Sequence, residues 1–209
     1  MLRRHALATV ATALLLAPGL APAQTTISAP SGGTTSNCTL IAGPTFYCGQ
    51  LFTVPTTDNV LQNFTLALAT SSGATFQIYE TSSGSALVGA PVFSAVLAGS
   101  ANPIPQPIAF VPVGGLALVG GAQYAAVVQL LVGQGVLFAS NEANPYAGGS
   151  LISCMGTVEI PCSTTAGTDL QFQAFFRGSA AVVPEPSTYA LLGTGLLAVG
   201  GIGARRRRA

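Results

Sequence analysis

Leu61-Gln62-Asn63-Phe64-Thr65-Leu66-Ala67-Leu68 is followed, after a short Ser/Gly break, by Thr75-Phe76-Gln77-Ile78-Tyr79-Glu80. Both stretches alternate apolar and polar residues with a period near two. Phe76, Ile78 and Glu80 fall on one face of the second, Gln77 and Tyr79 on the other. That period belongs to half-buried strands, and the Ser/Gly break between them is turn chemistry. The same texture continues outward. Leu51-Phe52-Thr53-Val54 ends at Pro55, and Pro91 to Leu97 and Val136 to Ser140 read as further strands. Ile108 to Val113 is bounded by Pro107 and broken by Pro112, which places it at a sheet edge. Gln123 to Val132 is the longest and most apolar run, as a central strand would be. Leu170 to Phe176 closes the domain with Leu170, Phe172 and Ala174 on one face. Eight or nine such strands and no amphipathic helix predict an all-β, antiparallel β-sandwich. A jelly-roll-like order is preferred, with an immunoglobulin-like sandwich as the alternative.

The ends of the 209-residue chain have a different composition. Arg3, Arg4 and His5 precede a short apolar stretch from Ala6 to Leu16, and Ala21-Pro22-Ala23 offers a small-x-small cleavage site before Gln24. This is the layout of a secretory signal peptide over residues 1–23. At the other end stand Pro184-Glu185-Pro186-Ser187-Thr188, an apolar run from Tyr189 to Ala204, and Arg205-Arg206-Arg207-Arg208. The two prolines fix their own φ and bias Glu185 towards extended geometry, a shape suited to capture in an enzyme cleft. The apolar run has 16 residues. As a transmembrane helix it would cover ~24 Å, short of a ~30 Å hydrocarbon core. Flanking Ser and Thr and snorkelling arginines close that gap. The arginines also predict a cytoplasmic C-terminus. Residues 24–178 are then the folded domain, 179–183 a linker and 184–209 the tail.

The tail resembles the PEP-CTERM sorting signal of Gram-negative bacteria from Val183 to Arg208. The segment is also known as an ice-binding-protein C-terminal region, a label that describes the anchor and says nothing of ice. The resemblance implies recognition by an exosortase at the inner membrane, with processing at or near Pro184, Glu185 and Pro186. It implies export, and a cell-surface or extracellular product whose C-terminus is transiently anchored. The body is similar, more diffusely, to the β-sandwich bodies of other PEP-CTERM proteins. Leu61-x-x-Phe64-Thr65-Leu66, Tyr146-Ala147-Gly148-Gly149 and Asp169-Leu170-Gln171-Phe172 carry that likeness.

Without its ends, the domain keeps one cation, Arg177, against Asp58, Glu80, Glu142, Glu159 and Asp169, a net charge of about −4. Charged residues are 6% of the chain, against about 25% in ordinary soluble proteins. Nucleic-acid binding by phosphate neutralisation is excluded. The chain has no Lys, and its one His precedes Gln24. Imidazole- and lysine-dependent catalysis therefore loses its actors. Two carboxylates facing each other could still cleave a glycoside. Glu80, Glu142, Glu159 and Asp169 are the candidates, with solvated loop and strand-end acids as the simpler reading. No enzymatic activity and no cofactor are expected.

Cys38, Cys48, Cys154 and Cys162 in an exported chain predict disulfides rather than zinc, because spacings of ten and eight fit no zinc pattern. Three connectivities are possible; the pairs closest in sequence, Cys38–Cys48 and Cys154–Cys162, are favoured. Asp58-Asn59 and Asn141-Glu142 offer oxygen ligands for calcium, yet turn formation explains them more simply, so no metal is expected. Sugar binding asks for an exposed aromatic. Trp is absent, and Tyr146 is the best candidate contact, its simpler reading being a residue that pins a turn. The Ser/Thr-rich segments Thr25–Ser36 and Ser163–Thr168 are candidate glycan acceptors. The preferred function is a structural or adhesive surface or matrix protein in an exopolysaccharide or biofilm setting, with exosortase, inner membrane and extracellular polysaccharide as partners. A carbohydrate-binding module or a glycoside hydrolase on the same anchor is the alternative.

Overall fold

A computed structural model describes residues 24–39, 45–82, 86–156 and 160–178. The expected signal peptide, the linker, the sorting motif, the transmembrane run and the arginine stop all lie outside them, as does Glu159. The described residues form fourteen strands and no helix.

The first sheet is built on β4 (Val60–Thr70). Along one edge β4 pairs β14 (Phe172–Arg177) and then β10 (Gly135–Asn141). Along the other it pairs β7 (Gln106–Phe110) and β8 (Leu116–Ala117). Outside these lie β1 (Gln24–Ala29) on β14, and β2 (Thr34–Thr39) and β13 (Asp169–Leu170) on β10. Every pairing is antiparallel. Gln24, the first described residue, faces Arg177, so the domain's two ends leave from neighbouring strands.

The second sheet runs β11 (Leu151–Met155), β12 (Ile160–Thr165), β6 (Ala86–Leu97), β5 (Ala74–Thr81), β9 (Gln123–Leu130) and β3 (Phe46–Thr53). It then returns to β11 and closes into a six-stranded barrel. A short pairing, Ile160↔Leu87 and Pro161↔Ala86, completes the ring. β6 reaches both neighbours because a bulge opposite Ile78 and Glu80 bends it part-way along its length.

Closure gives the domain two cores. Between the sheets lies the larger one, with Phe52, Phe64, Phe76, Phe138, Phe172 and Phe176. Phe64 stacks on Phe172 at 5.6 Å and Phe76 on Phe110 at 3.7 Å. Inside the barrel Tyr47, Leu51, Tyr79, Leu87, Val127 and Ile152 form the smaller one. β3, β5 and β9 wall both. In β9, Tyr124, Ala126, Val128 and Leu130 face the larger core, while Ala125 and Val127 face the barrel. A strand buried on both faces must be apolar throughout, which is why this run reads as central.

One expectation needs correction, and two Ser/Thr-rich segments prove to be strands. β4 and β6 are longer than β9, since the apolar run ends as a strand at Leu130 and leaves Leu131 and Val132 exposed. Thr25–Ser36, a candidate glycan acceptor, contains most of β1 and the start of β2. Ile27 and Ala29 of β1 reach the larger core, as does Cys38 further along β2. Ser163–Thr165 likewise belongs to β12, paired with Leu151–Ser153.

Disulfides join Cys38 to Cys48 and Cys154 to Cys162. The first ties β2 of one sheet to β3 of the other. The second links directly opposed residues of β11 and β12, with Cα atoms 4.0 Å apart, next to the short pairing that closes the barrel. Loops of this size contribute roughly 2–3 kcal/mol each.

Candidate functional site

Of the described candidate acids, Asp169 and Glu80 are engaged by neighbouring side chains. Asp169 is fully buried, and both its oxygens accept hydrogen bonds: Oδ1 from Gln50 Nε2 at 2.8 Å, Oδ2 from the Tyr146 N–H at 2.9 Å. Gln50, equally buried, takes the Leu170 N–H on its Oε1 at 2.8 Å. Asp169 is thus the knot that ties β3, β13 and the turn before β11 together. Asn141 faces Asp169 across β10 and β13, so Glu142 comes next in the chain, but it is exposed. Glu80 is exposed at the end of β5 and accepts from the Tyr124 hydroxyl at 3.4 Å.

The oxygen-rich loops also spend their groups internally. Asp58 is buried and accepts from the Thr25 hydroxyl, and Asn59 donates to the Leu118 carbonyl at 2.8 Å. Asn141 accepts from the Ala143 N–H at 2.9 Å and donates to the Pro30 carbonyl at 3.2 Å. Only the Asn141–Ala143 contact is local turn chemistry; the others tie loops to segments 33, 59 and 111 residues away. Among the described residues no three His, Cys, Asp or Glu side chains gather where they could hold a metal ion.

Tyr146 is half-buried. Its hydroxyl accepts from the Thr53 N–H at 2.9 Å, and its ring meets Phe172 edge-on at 5.1 Å. Thr53 in turn donates through its hydroxyl to the Gly148 carbonyl at 2.7 Å. The ring therefore pins the Asn144–Gly149 turn to β3. Burial raises the Tyr146 pKa, contacts with Thr53 pull it back in part, and Asp169 raises it further.

Tyr47 and Tyr79 sit edge to face inside the barrel, 5.9 Å apart. Gln129 donates to the Tyr47 hydroxyl at 3.3 Å, and Tyr79 donates to Gln77 at 3.2 Å. Burial pushes the Tyr79 hydroxyl well above its usual value, and neighbouring Tyr47 adds to the effect. The folded state thus holds this proton more tightly than the unfolded chain. Its stabilising contribution is complete below about pH 10 and is lost as pH rises beyond that, towards the raised folded value. Urea midpoints should stay level from neutral pH to about 10 and then fall, and Tyr79→Phe should make the fall shallower. An unchanged fall in Tyr79→Phe would contradict this.

One feature escapes strand-by-strand reading. A shallow groove of about 310 Å³ lies on the outer face of the first sheet, with Ser28, Thr65, Gln171 and Gln173 in its wall. Its residues come from four strands and the β13–β14 junction. Their outward alternation is visible in sequence, but their convergence follows only from register.

No curated protein and no solved structure matches this chain. Residues 182–208 match the family model described as the PEP-CTERM protein-sorting motif. That match implies an exosortase as processing partner, export, and a transiently membrane-anchored C-terminus. Among the described residues no helix is long and apolar enough to cross a membrane; the expected span, residues 189–204, lies outside them. The chain carries a PEP-CTERM protein-sorting motif at residues 182–208, the mark of an exosortase-targeted exported protein.

Proposed function

We propose that this chain is a non-enzymatic surface or matrix protein, exported, oxidised outside the cytoplasm, and released or retained through exosortase processing of its tail. The match at residues 182–208 carries the reading. Composition supports the non-enzymatic part: from Gln24 onward there is no His and no Lys to move a proton near neutral pH. Two disulfides and a weakly charged, Ser/Thr/Gln-rich surface suit an extracellular matrix of polysaccharide.

Glu185 is the one charged group in the Pro-Glu-Pro motif. Glu185→Ala should leave the full tail on the protein in the inner membrane of an exosortase-bearing host. Membrane fractionation and immunoblotting read this directly. Wild-type processing of Glu185→Ala would count against recognition of the motif.

A further inference from the structure

We propose that the outer face of the first sheet binds a neutral polysaccharide, with Phe175 as the stacking platform and Ser28, Thr65, Gln171 and Gln173 as the hydrogen-bonding floor. This deepens the matrix-protein reading above, on which it rests, by naming the polymer class and the face that takes it.

Strand alternation builds the face. In β14, Phe172, Ala174 and Phe176 enter the larger core, so Gln173, Phe175 and Arg177 point outward. Register then aligns neighbours into rows. Thr26, Phe175 and Asn63 form one row across β1, β14 and β4. Ser28, Gln173, Thr65 and Ala109 form the next, across β1, β14, β4 and β7. The groove opens along this second row and continues past Gln171, Ala67 and Pro107. Phe175 is half-exposed beside it and belongs to neither core.

Chemistry selects the occupant. Both rows are uncharged; Arg177 stands at the far end, opposite Gln24 and Val60. A charged polymer would find nothing to pair with. Phe175 is the one large apolar side chain on the rows; Val96, Val113, Val119 and Leu131 are elsewhere. A protein interface would need an apolar centre there. Among the described residues the side chains of Ser28, Gln171 and Gln173 make no hydrogen bond to the protein, and Thr65 makes only a long one, 3.5 Å, to Asn63. Unused amides and hydroxyls beside one aromatic face complement a ligand made of hydroxyls and apolar ring faces.

Affinity electrophoresis of the full-length chain in a sugar-free zwitterionic detergent tests this. The gels would contain a neutral β-glucan, xylan or galactomannan, or acidic alginate. At least one neutral polymer should retard the wild type. Gln173→Glu and Phe175→Ala should each bind about tenfold more weakly. Thr35→Glu, an exposed change on β2 away from the groove, should bind as the wild type does. Gln173→Glu should also keep the wild-type Tm, so its loss is not unfolding. The proposal is overturned if no neutral polymer retards the chain, if alginate alone does, or if Gln173→Glu binds undiminished. Self-association that Gln173→Glu abolishes, without polymer binding, would assign the face to a second copy and overturn it too. None of these outcomes alters the Glu185→Ala result, so the two readings fail separately.

Discussion

Gly49→Ala is expected to prevent the domain from folding to a stable state. Gly49 lies in β3 opposite Val127 of β9. A Cβ there would stand 2.0 Å from the Ala126 carbonyl oxygen and 2.6 Å from the Val127 Cα. Those are backbone atoms, so no rotamer relieves the clash and the two strands must part. Both walls move, because β3 and β9 line the inter-sheet core and the barrel interior alike. Overpacking in a well-packed core costs about 1–3 kcal/mol when side chains can yield; here the backbone must yield, and the cost should exceed about 3 kcal/mol. A domain stable by roughly 5–15 kcal/mol has little room for that. Gly135→Ala is the control. Its Cβ would meet the Thr39 hydroxyl at 3.2 Å, a side chain that can rotate, and the change should stay within about 1 kcal/mol. Urea unfolding followed by tyrosine fluorescence, usable because the chain has no Trp, separates the two. Equal stability of both variants would contradict the two-core description.

Asp169→Ala is the second large effect. It removes one acceptor from the buried Gln50 amide, which keeps its bond to the Leu51 carbonyl, and the acceptor of the half-buried Tyr146 N–H; each buried orphan costs about 1–3 kcal/mol. The loss should total about 2–5 kcal/mol. Asp169→Asn should not rescue it, since one amide end would point a donor at a donor. The turn carrying Tyr146 should loosen as well, so the Tyr146 N–H, protected in the wild type, should exchange faster with deuterium. A mild loss in both variants would mean that Asp169 is not the knot.

Asp169 marks where sequence reading reached its limit. Asp169 read as a strand-end acid because charged residues are seldom fully buried unless paired. Only register brings Gln50 within reach, 119 residues away. Tyr146 was legible as either a sugar contact or a turn pin, and its partners Thr53 and Phe172 are likewise distant in the chain. The strands themselves were legible wherever one face is wetter than the other, as in β4 and β10. β1, β2 and β12 were not, because Thr, Ser, Asn and Gln crowd their outward positions and imitate loop composition, and β11 is only five residues long. Barrel closure was illegible for another reason. It rests on one short pairing between β6 and β12, which leaves no periodicity behind. The tail needed no fold to be read, since its signal is linear: a rigid motif, an apolar run and a cationic stop.

The central claim is that the folded domain is cargo and the tail is its address. Intact-mass measurement of the wild-type chain, recovered from the surface and medium of an exosortase-bearing host, tests it most directly. The predicted product begins at Gln24, ends at or near the Pro184–Pro186 motif, and carries both disulfides. A product that still ends in Arg205–Arg208 and Ala209, or one recovered with four free thiols, would contradict the account.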